Sequence, residues 1–183
     1  MLYASGILPV SRLPDGRVVF LIGKDVRDGT WSDFGGKVER GDRGCPMNTA
    51  AREFYEESLG CVASAWGVRQ RMVPGNCVAL KSVTQNGHVY WMYLVEVPYF
   101  PHVRKTFAKV LAFLGYKDLD AQLVEKTDVT WVDLGALEKI QKRHVFRATI
   151  EAHAVTLARV ACEPWKDVCA AGDPEGLSKK YSV

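Results

Sequence analysis

Arg52-Glu53-Phe54-Tyr55-Glu56-Glu57-Ser58-Leu59-Gly60, fed by Gly35-Gly36-Lys37-Val38-Glu39-Arg40-Gly41-Asp42, is the stretch on which this sequence turns. Pro46 opens a run of good helix formers and Gly60 stands where a C-terminal cap belongs, so Pro46–Leu59 is expected to be a helix. On that helix Glu53, Glu56 and Glu57 are related by i, i+3 and i+4 and share a face. Like charges held so close repel, and two agents can offset them: Arg52 next door, and a hard divalent cation that takes carboxylate and phosphate oxygens together. Alone, such a cluster would be a solvated surface. Here residues 35–44 form a glycine-rich lead-in, read as a loop, whose backbone amides and adjoining helix N-terminus favour phosphate.

Working outward, Leu2–Pro9 and Arg17–Ile22 flank the turn Pro14-Asp15-Gly16 and read as a hairpin. Val62–Met72, Cys77–Val83 and His88–Val97 are strand candidates, the last two joined across Asn86-Gly87. Residues 98–120 break the rhythm and read as an insertion carrying a short helix, Lys105–Leu114, ended by Gly115. Val129–Asp133 reads as a strand, Leu134–Arg143 as a helix and Val145–Cys162 as one longer helix. Pro164, Gly172, Pro174 and Gly176 mark residues 163–183 as an irregular arm. Strands, a helix, more strands and then helices imply an α/β (α+β) sandwich, with one domain over residues 1–162.

Composition excludes other classes. With 183 residues, 48% hydrophobic, the chain can bury a core, and disorder is excluded for it as a whole. The net charge of +3 is small against 24 basic and 21 acidic residues, so it permits an anionic partner without requiring one. Cys45, Cys61, Cys77, Cys162 and Cys169 are odd in number and never spaced as CxxC, which points to reduced thiols and a cytoplasmic setting. The N-terminus lacks the basic, unbroken apolar pattern of a targeting signal, and no run is long enough to cross a membrane, so no membrane partner is expected. His88, His102, His144 and His153 lack metal-ligand spacing and read as structural or exposed.

The decisive stretch resembles the signature of the Nudix hydrolases: Gly, five residues, Glu, seven residues, then Arg-Glu-U-x-Glu-Glu-x-Gly-U, with U a bulky aliphatic. Gly36, Arg52, Glu53, Glu56 and Glu57 sit on that pattern, and Phe54 takes the first U position. Two departures stand out. Asp42 replaces Glu and is separated from Arg52 by nine residues, so Arg43-Gly44 reads as an insertion, and Leu59 delays the closing glycine to Gly60. The resemblance implies an α/β/α sandwich with a mixed central sheet. It further implies hydrolysis of a pyrophosphate bond in a nucleoside diphosphate linked to another group, supported by Mg²⁺ or Mn²⁺. Glu56 and Glu57 would be the first metal ligands, Glu53 a third ligand or the base, and the carbonyl of Gly36 would complete the set. Arg52 would orient the glutamates. The base would come from Glu53 or from a later segment, where Glu125 and its neighbour Asp128 are candidates, and the role of Asp42 stays open.

The substrate is less legible. Base-stacking candidates are Trp31, Phe34, Trp66, Tyr90, Trp91 and Tyr93, with Tyr3 and the Arg27 region also considered, although large aromatics in strands are normally core. A nucleotide, dinucleoside polyphosphate, nucleotide sugar or ADP-ribose fits the implied chemistry. Capped RNA is the alternative, because Tyr99, Phe100, His102, Arg104, Lys105, Phe107 and Lys109 interleave basic and aromatic residues, and Lys139, Lys142, Arg143, His144 and Arg147 form a second basic cluster. A nucleotide-binding module without catalysis is the third reading, opposed by the intact glutamates. Relatives are commonly dimers, so a homodimer is compatible.

Overall fold

A computed structural model describes residues 3–116 and 124–171. Seven strands form one mixed sheet: β1 (Tyr3–Arg12), β2 (Val18–Asp25), β3 (Trp31–Ser32), β4 (Phe34–Lys37), β5 (Cys77–Val83), β6 (Val89–Glu96) and β7 (Lys126–Val132). The helices are α1 (Pro46–Glu57), α2 (Ala65–Arg69), α3 (Val103–Tyr116), α4 (Leu134–Lys139), α5 (His144–Ala152), α6 (Ala154–Cys162) and α7 (Trp165–Ala171). The expected hairpin forms, with Val10 opposite Phe20 and the turn at Pro14-Asp15-Gly16. Asn86-Gly87 joins β5 to β6, also as expected.

The sheet splays where the site lies. β1 runs parallel to β6 along its length, but on its other edge it pairs with β2 only at Val10–Arg12 and with β4 at Ala4–Ile7. The far half of β2 turns to β3 on one edge and to β7 on the other. Side chains alternate across each strand, so the sheet carries an apolar layer on both faces. Ile7, Leu21 and Phe34 pack under α1 to α3, while Leu8, Phe20, Ile22 and Met92 pack under the later helices around Phe146, Leu157 and Val160. This is the expected α/β/α sandwich.

Several local expectations are corrected. Gly35-Gly36 belong to β4 rather than to a loop. Val62–Met72 is not a strand: Ser64 caps α2 by accepting the Gly67 N–H at 3.0 Å, and Val68 and Met72 are buried at helical spacing. The single helix over Val145–Cys162 is broken at His153, whose ring bonds the Lys81 carbonyl of β5 at 2.9 Å. α4 stops at Lys139, because Lys142 Nζ turns back to the carbonyls of Glu138 and Ile140. α3 begins two residues earlier than expected and runs through Gly115, its Val103 and Phe107 buried against the β7 side. The arm expected from 163 begins with α7, whose Trp165, Val168 and Cys169 are buried; the rest of it, and 117–120 of the insertion, lie outside the described residues.

Candidate active site

α1 is held at both ends by backbone chemistry. Pro46 occupies its first turn, and its C-terminus closes with the Gly60 N–H donating to the Tyr55 carbonyl at 2.9 Å and the Leu59 N–H to Glu56 at 3.1 Å. Leu59 therefore takes the left-handed conformation, at φ 53°, that a glycine adopts without strain. That is the position where the signature has its closing glycine. Phe54 anchors the inner side, edge-on to Phe34 of β4 with centroids 5.3 Å apart.

Two of the helix carboxylates point inward and one outward. Glu53 and Glu57 are buried, whereas the Glu56 side chain is 54% exposed. Arg52 is the hub: its guanidinium lies 3.0 Å from Glu53, 2.8 Å from Glu56 and 3.1 Å from Asp42, and it donates to the Lys37 carbonyl at 3.0 Å. Asp42, despite the lengthened loop, is buried and also accepts from the Glu39 N–H and the Thr49 hydroxyl. Burial works to raise its pKa, but the Arg52, Glu39 and Thr49 bonds outweigh it and hold the carboxyl below its usual range. In this geometry Asp42 acts on Arg52.

Glu53 lies flat against bare backbone. A Cβ placed on Gly36 would sit 2.3 Å from Glu53 Oε1, so only glycine admits the carboxylate here. Burial lifts Glu53 to a pKa of about 7 against the pull of Arg52, and Glu56 and Glu125 add to the lift. Glu125 thus bears on the carboxylate face, while Asp128 is bound by Arg104 at 3.0 and 2.6 Å.

The interior holds a group that the sequence reading missed. Lys126, with a side chain 0% exposed, places Nζ 2.7 Å from the Ser32 hydroxyl and 3.3 Å from Glu57 Oε1. Glu57 Oε2 accepts the Gly35 N–H at 2.7 Å, yet Oε1 makes no hydrogen bond, the lysine sitting at ion-pair distance only. Burial raises the Glu57 pKa, opposed by Lys126 and the Gly35 N–H. Beside it Asp33, raised to about 6 by burial, accepts a short hydrogen bond of 2.5 Å from the Tyr90 hydroxyl. Nothing in the sequence marked Asp33 or Lys126, whose partners Tyr90 and Glu57 lie far off along the chain.

On the far side of β4 lies a cavity of about 410 Å³ lined by Tyr3, Asp33, Gly35, Gly36, Lys37, Asn86, His88, Tyr90, Arg143 and His144 among others. The two glycines alternate: a Cβ on Gly35 would strike the Tyr90 hydroxyl at 2.6 Å, one on Gly36 the Glu53 carboxylate. β4 is thus a one-strand septum between cavity and carboxylates. Of the aromatic candidates, Tyr90 and Tyr3 line this cavity, whereas Trp66 is 74% exposed and Phe34 and Tyr93 are core. His88 and His144, read as structural or exposed, line it too.

The donor set suits a hard cation. Oxygen ligands, a buried carboxylate oxygen lacking a hydrogen bond and a cradle at Gly36 that a Cβ would fill all fit Mg²⁺ or Mn²⁺. The ligands are not closed around a common point: among the described residues no group of three or more His, Cys, Asp or Glu side chains could hold an ion as it stands, Arg52 holding Glu53 and Glu56 and Lys126 facing Glu57.

Solved structures share this architecture. The chain aligns with a Nudix hydrolase from M. smegmatis, RenU, at TM-score 0.55 and 13% identity, covering 87% of this chain and 88% of that one. It aligns with a C. elegans Ap4A hydrolase at 0.54 and 16% (86% and 98% covered), and with the NUDIX domain of Shewanella oneidensis NrtR, solved with ADP ribose, at 0.51 and 15% (87% of each). No protein-family model and no curated protein matches the sequence. At these identities the likeness establishes the fold: the chain has the α/β/α fold of the Nudix hydrolases.

Proposed function

We propose that this chain, built on the Nudix hydrolase fold, is a divalent-metal-dependent pyrophosphohydrolase of nucleoside diphosphates linked to a second group. The observation that carries the reading is the bare Gly35-Gly36 strand, with the buried carboxylates of Glu53 and Glu57 on one side and a cavity of about 410 Å³ on the other. A nucleoside seated in the cavity would present its diphosphate at the edge of β4, next to the carboxylates. Mg²⁺ or Mn²⁺, when bound, would neutralise charge on the diphosphate oxygens and polarise the phosphorus. Glu53, Glu56, Glu57 and the Gly36 carbonyl would hold it. Arg52, fixed by Asp42, aligns Glu53 and Glu56, and Glu125 or Glu53 would take the proton of the attacking water.

A small-molecule substrate is favoured over capped RNA. The basic and aromatic residues of the insertion resolve into the two sides of α3: Phe107 is core, and Arg104 is committed to Asp128. In the second cluster Lys142 caps α4 and Arg143 pairs with Asp25 at 3.4 Å. The C. elegans neighbour is an Ap4A hydrolase and the NrtR domain was solved with ADP ribose, which makes dinucleoside polyphosphates and ADP-ribose the first compounds to try. A panel of these compounds, nucleotide sugars, nucleoside triphosphates and capped RNA, run with Mg²⁺ and Mn²⁺, tests the reading. Cleavage of a small compound and not of capped RNA is expected; cap release alone would select the RNA enzyme, and no cleavage of any compound would select a binding module.

A further inference from the structure

Lys126 is the most completely buried charge in the described chain, and its burial is built rather than incidental. In an uninterrupted strand Lys126 and Val129 would face opposite sides, yet Val129 packs in the cluster under α1 and Lys126 reaches Glu57 of the same helix. The pairing of β2 with β7 shifts register at Lys24/Asp25, where Lys24 faces Asp128 and Asp25 faces Lys126, and this bulge turns the lysine inward. Its stem then needs a strand without a side chain beneath it: a Cβ on Gly23 would lie 2.9 Å from Lys126 Cδ. Bulge and glycine together thread an ammonium under α1, to Ser32 and Glu57.

Such a pair is a poor stabiliser, because desolvating both charges consumes most of the attraction, and apolar replacements of buried pairs are often no less stable. Its effect is electrostatic. Arg52 is shared among Asp42, Glu53, Glu56 and, at 3.6 Å, Glu39, whereas Lys126 faces Glu57 alone among the ion pairs of the helix. We propose that Lys126 is a positioning residue and a fixed counter-cation: it holds the inner oxygen of Glu57 in place and, by its charge, weakens the hold of the free site on a divalent cation. Firm loading would then require the additional oxygens of the substrate's phosphates. This rests on the metal-dependent reading above.

The test is Mn²⁺ binding to the full chain without substrate, followed by electron paramagnetic resonance, together with melting curves with and without Mn²⁺. Lys126→Met removes the charge and the hydrogen bond to Ser32; Lys126→Gln removes the charge and keeps a donor, and it carries the test if the first variant does not fold. Both are expected to bind Mn²⁺ about tenfold or more tighter than the parent, as removal of a like charge close to the ion requires in a partly desolvated site. Their metal-free melting temperature should fall, with a larger recovery on adding Mn²⁺ than the parent shows. Unchanged or weaker Mn²⁺ binding by the folded variants, as a merely structural lysine would give, overturns the proposal. If neither the parent nor the folded variants bind Mn²⁺, the metal-dependent reading fails and the Lys126 proposal with it; if the parent binds and the variants bind no tighter, only the Lys126 proposal fails.

Discussion

Replacing Gly36 by alanine perturbs the site through one methyl group. Its Cβ would lie 2.3 Å from Glu53 Oε1, 2.5 Å from Cδ and 2.6 Å from Oε2, so the carboxylate must retreat by about 0.7 Å to reach even a 3.0 Å contact. Metal–oxygen bonds tolerate roughly 0.2 Å, and a displacement near 1 Å in a catalytic array costs on the order of a hundredfold. The backbone is not the obstacle, because Gly36 is an ordinary strand residue outside the positive-φ set, and the displaced atoms end a flexible side chain. Gly36→Ala should therefore lower kcat about a hundredfold and weaken Mn²⁺ binding, while stability changes by no more than about 1 kcal/mol. Gly41→Ala is the control, since nothing lies within 4 Å of its added Cβ. Steady-state kinetics and a Mn²⁺ titration, paired with thermal melts of both variants, read the outcome. Activity of Gly36→Ala within about threefold of the parent, with Mn²⁺ affinity unchanged, would refute the placement of Glu53 against the strand.

Other perturbations follow from the same geometry. Glu53 is raised from 4.5 to about 7, so the folded chain holds a proton there that the unfolded chain has lost; this group's contribution to metal-free stability is full below pH 4.5 and is lost as pH rises through 7. At roughly 1.4 kcal/mol per pKa unit the fall from this group is at most about 3.5 kcal/mol, and melts at several pH values with and without Mg²⁺ check both the loss and its recovery on metal addition. Glu57→Gln should abolish Mg²⁺-dependent turnover in a chain whose circular dichroism stays folded but whose melting temperature drops, because Lys126 loses its partner. Glu125→Gln should slow kcat and remove a limb of its pH profile, and an unchanged rate would return the base to Glu53; Asp128→Asn, at a carboxylate bound by Arg104, should leave kcat near the parent's.

The shared carboxylate face was legible only in part, since Glu53 and Glu57 turn inward and Glu56 outward. Its helix was legible because it is local, proline and glycine marking its ends. The hairpin was legible for the same reason. Where the reading failed, the cause lay in contacts distant in sequence. Gly35-Gly36 read as a loop because glycine is a poor strand former, and only pairing with β1 makes it a strand. Val62, Trp66 and Val68 suggest a strand over Val62–Met72, but the Ser64 cap and the Val68–Met72 spacing decide for a helical turn. The closing turn of α1 puts the left-handed residue at Leu59, as the signature places its glycine, so the displaced Gly60 left the cap geometry intact. Lys126 had no local mark, since its inward turn depends on a bulge between strands about 100 residues apart, and such a register shift is invisible to periodicity.

The most direct measurement is chromatographic: ADP-ribose and diadenosine tetraphosphate incubated with the purified chain, with Mg²⁺ or Mn²⁺ and again with excess EDTA, and the products separated by charge. Cleavage at a phosphoanhydride bond into two phosphate-bearing products, abolished by EDTA, is the predicted result. Cleavage indifferent to EDTA, or no cleavage of these compounds, the nucleotide sugars or the nucleoside triphosphates under any metal condition, would contradict the account.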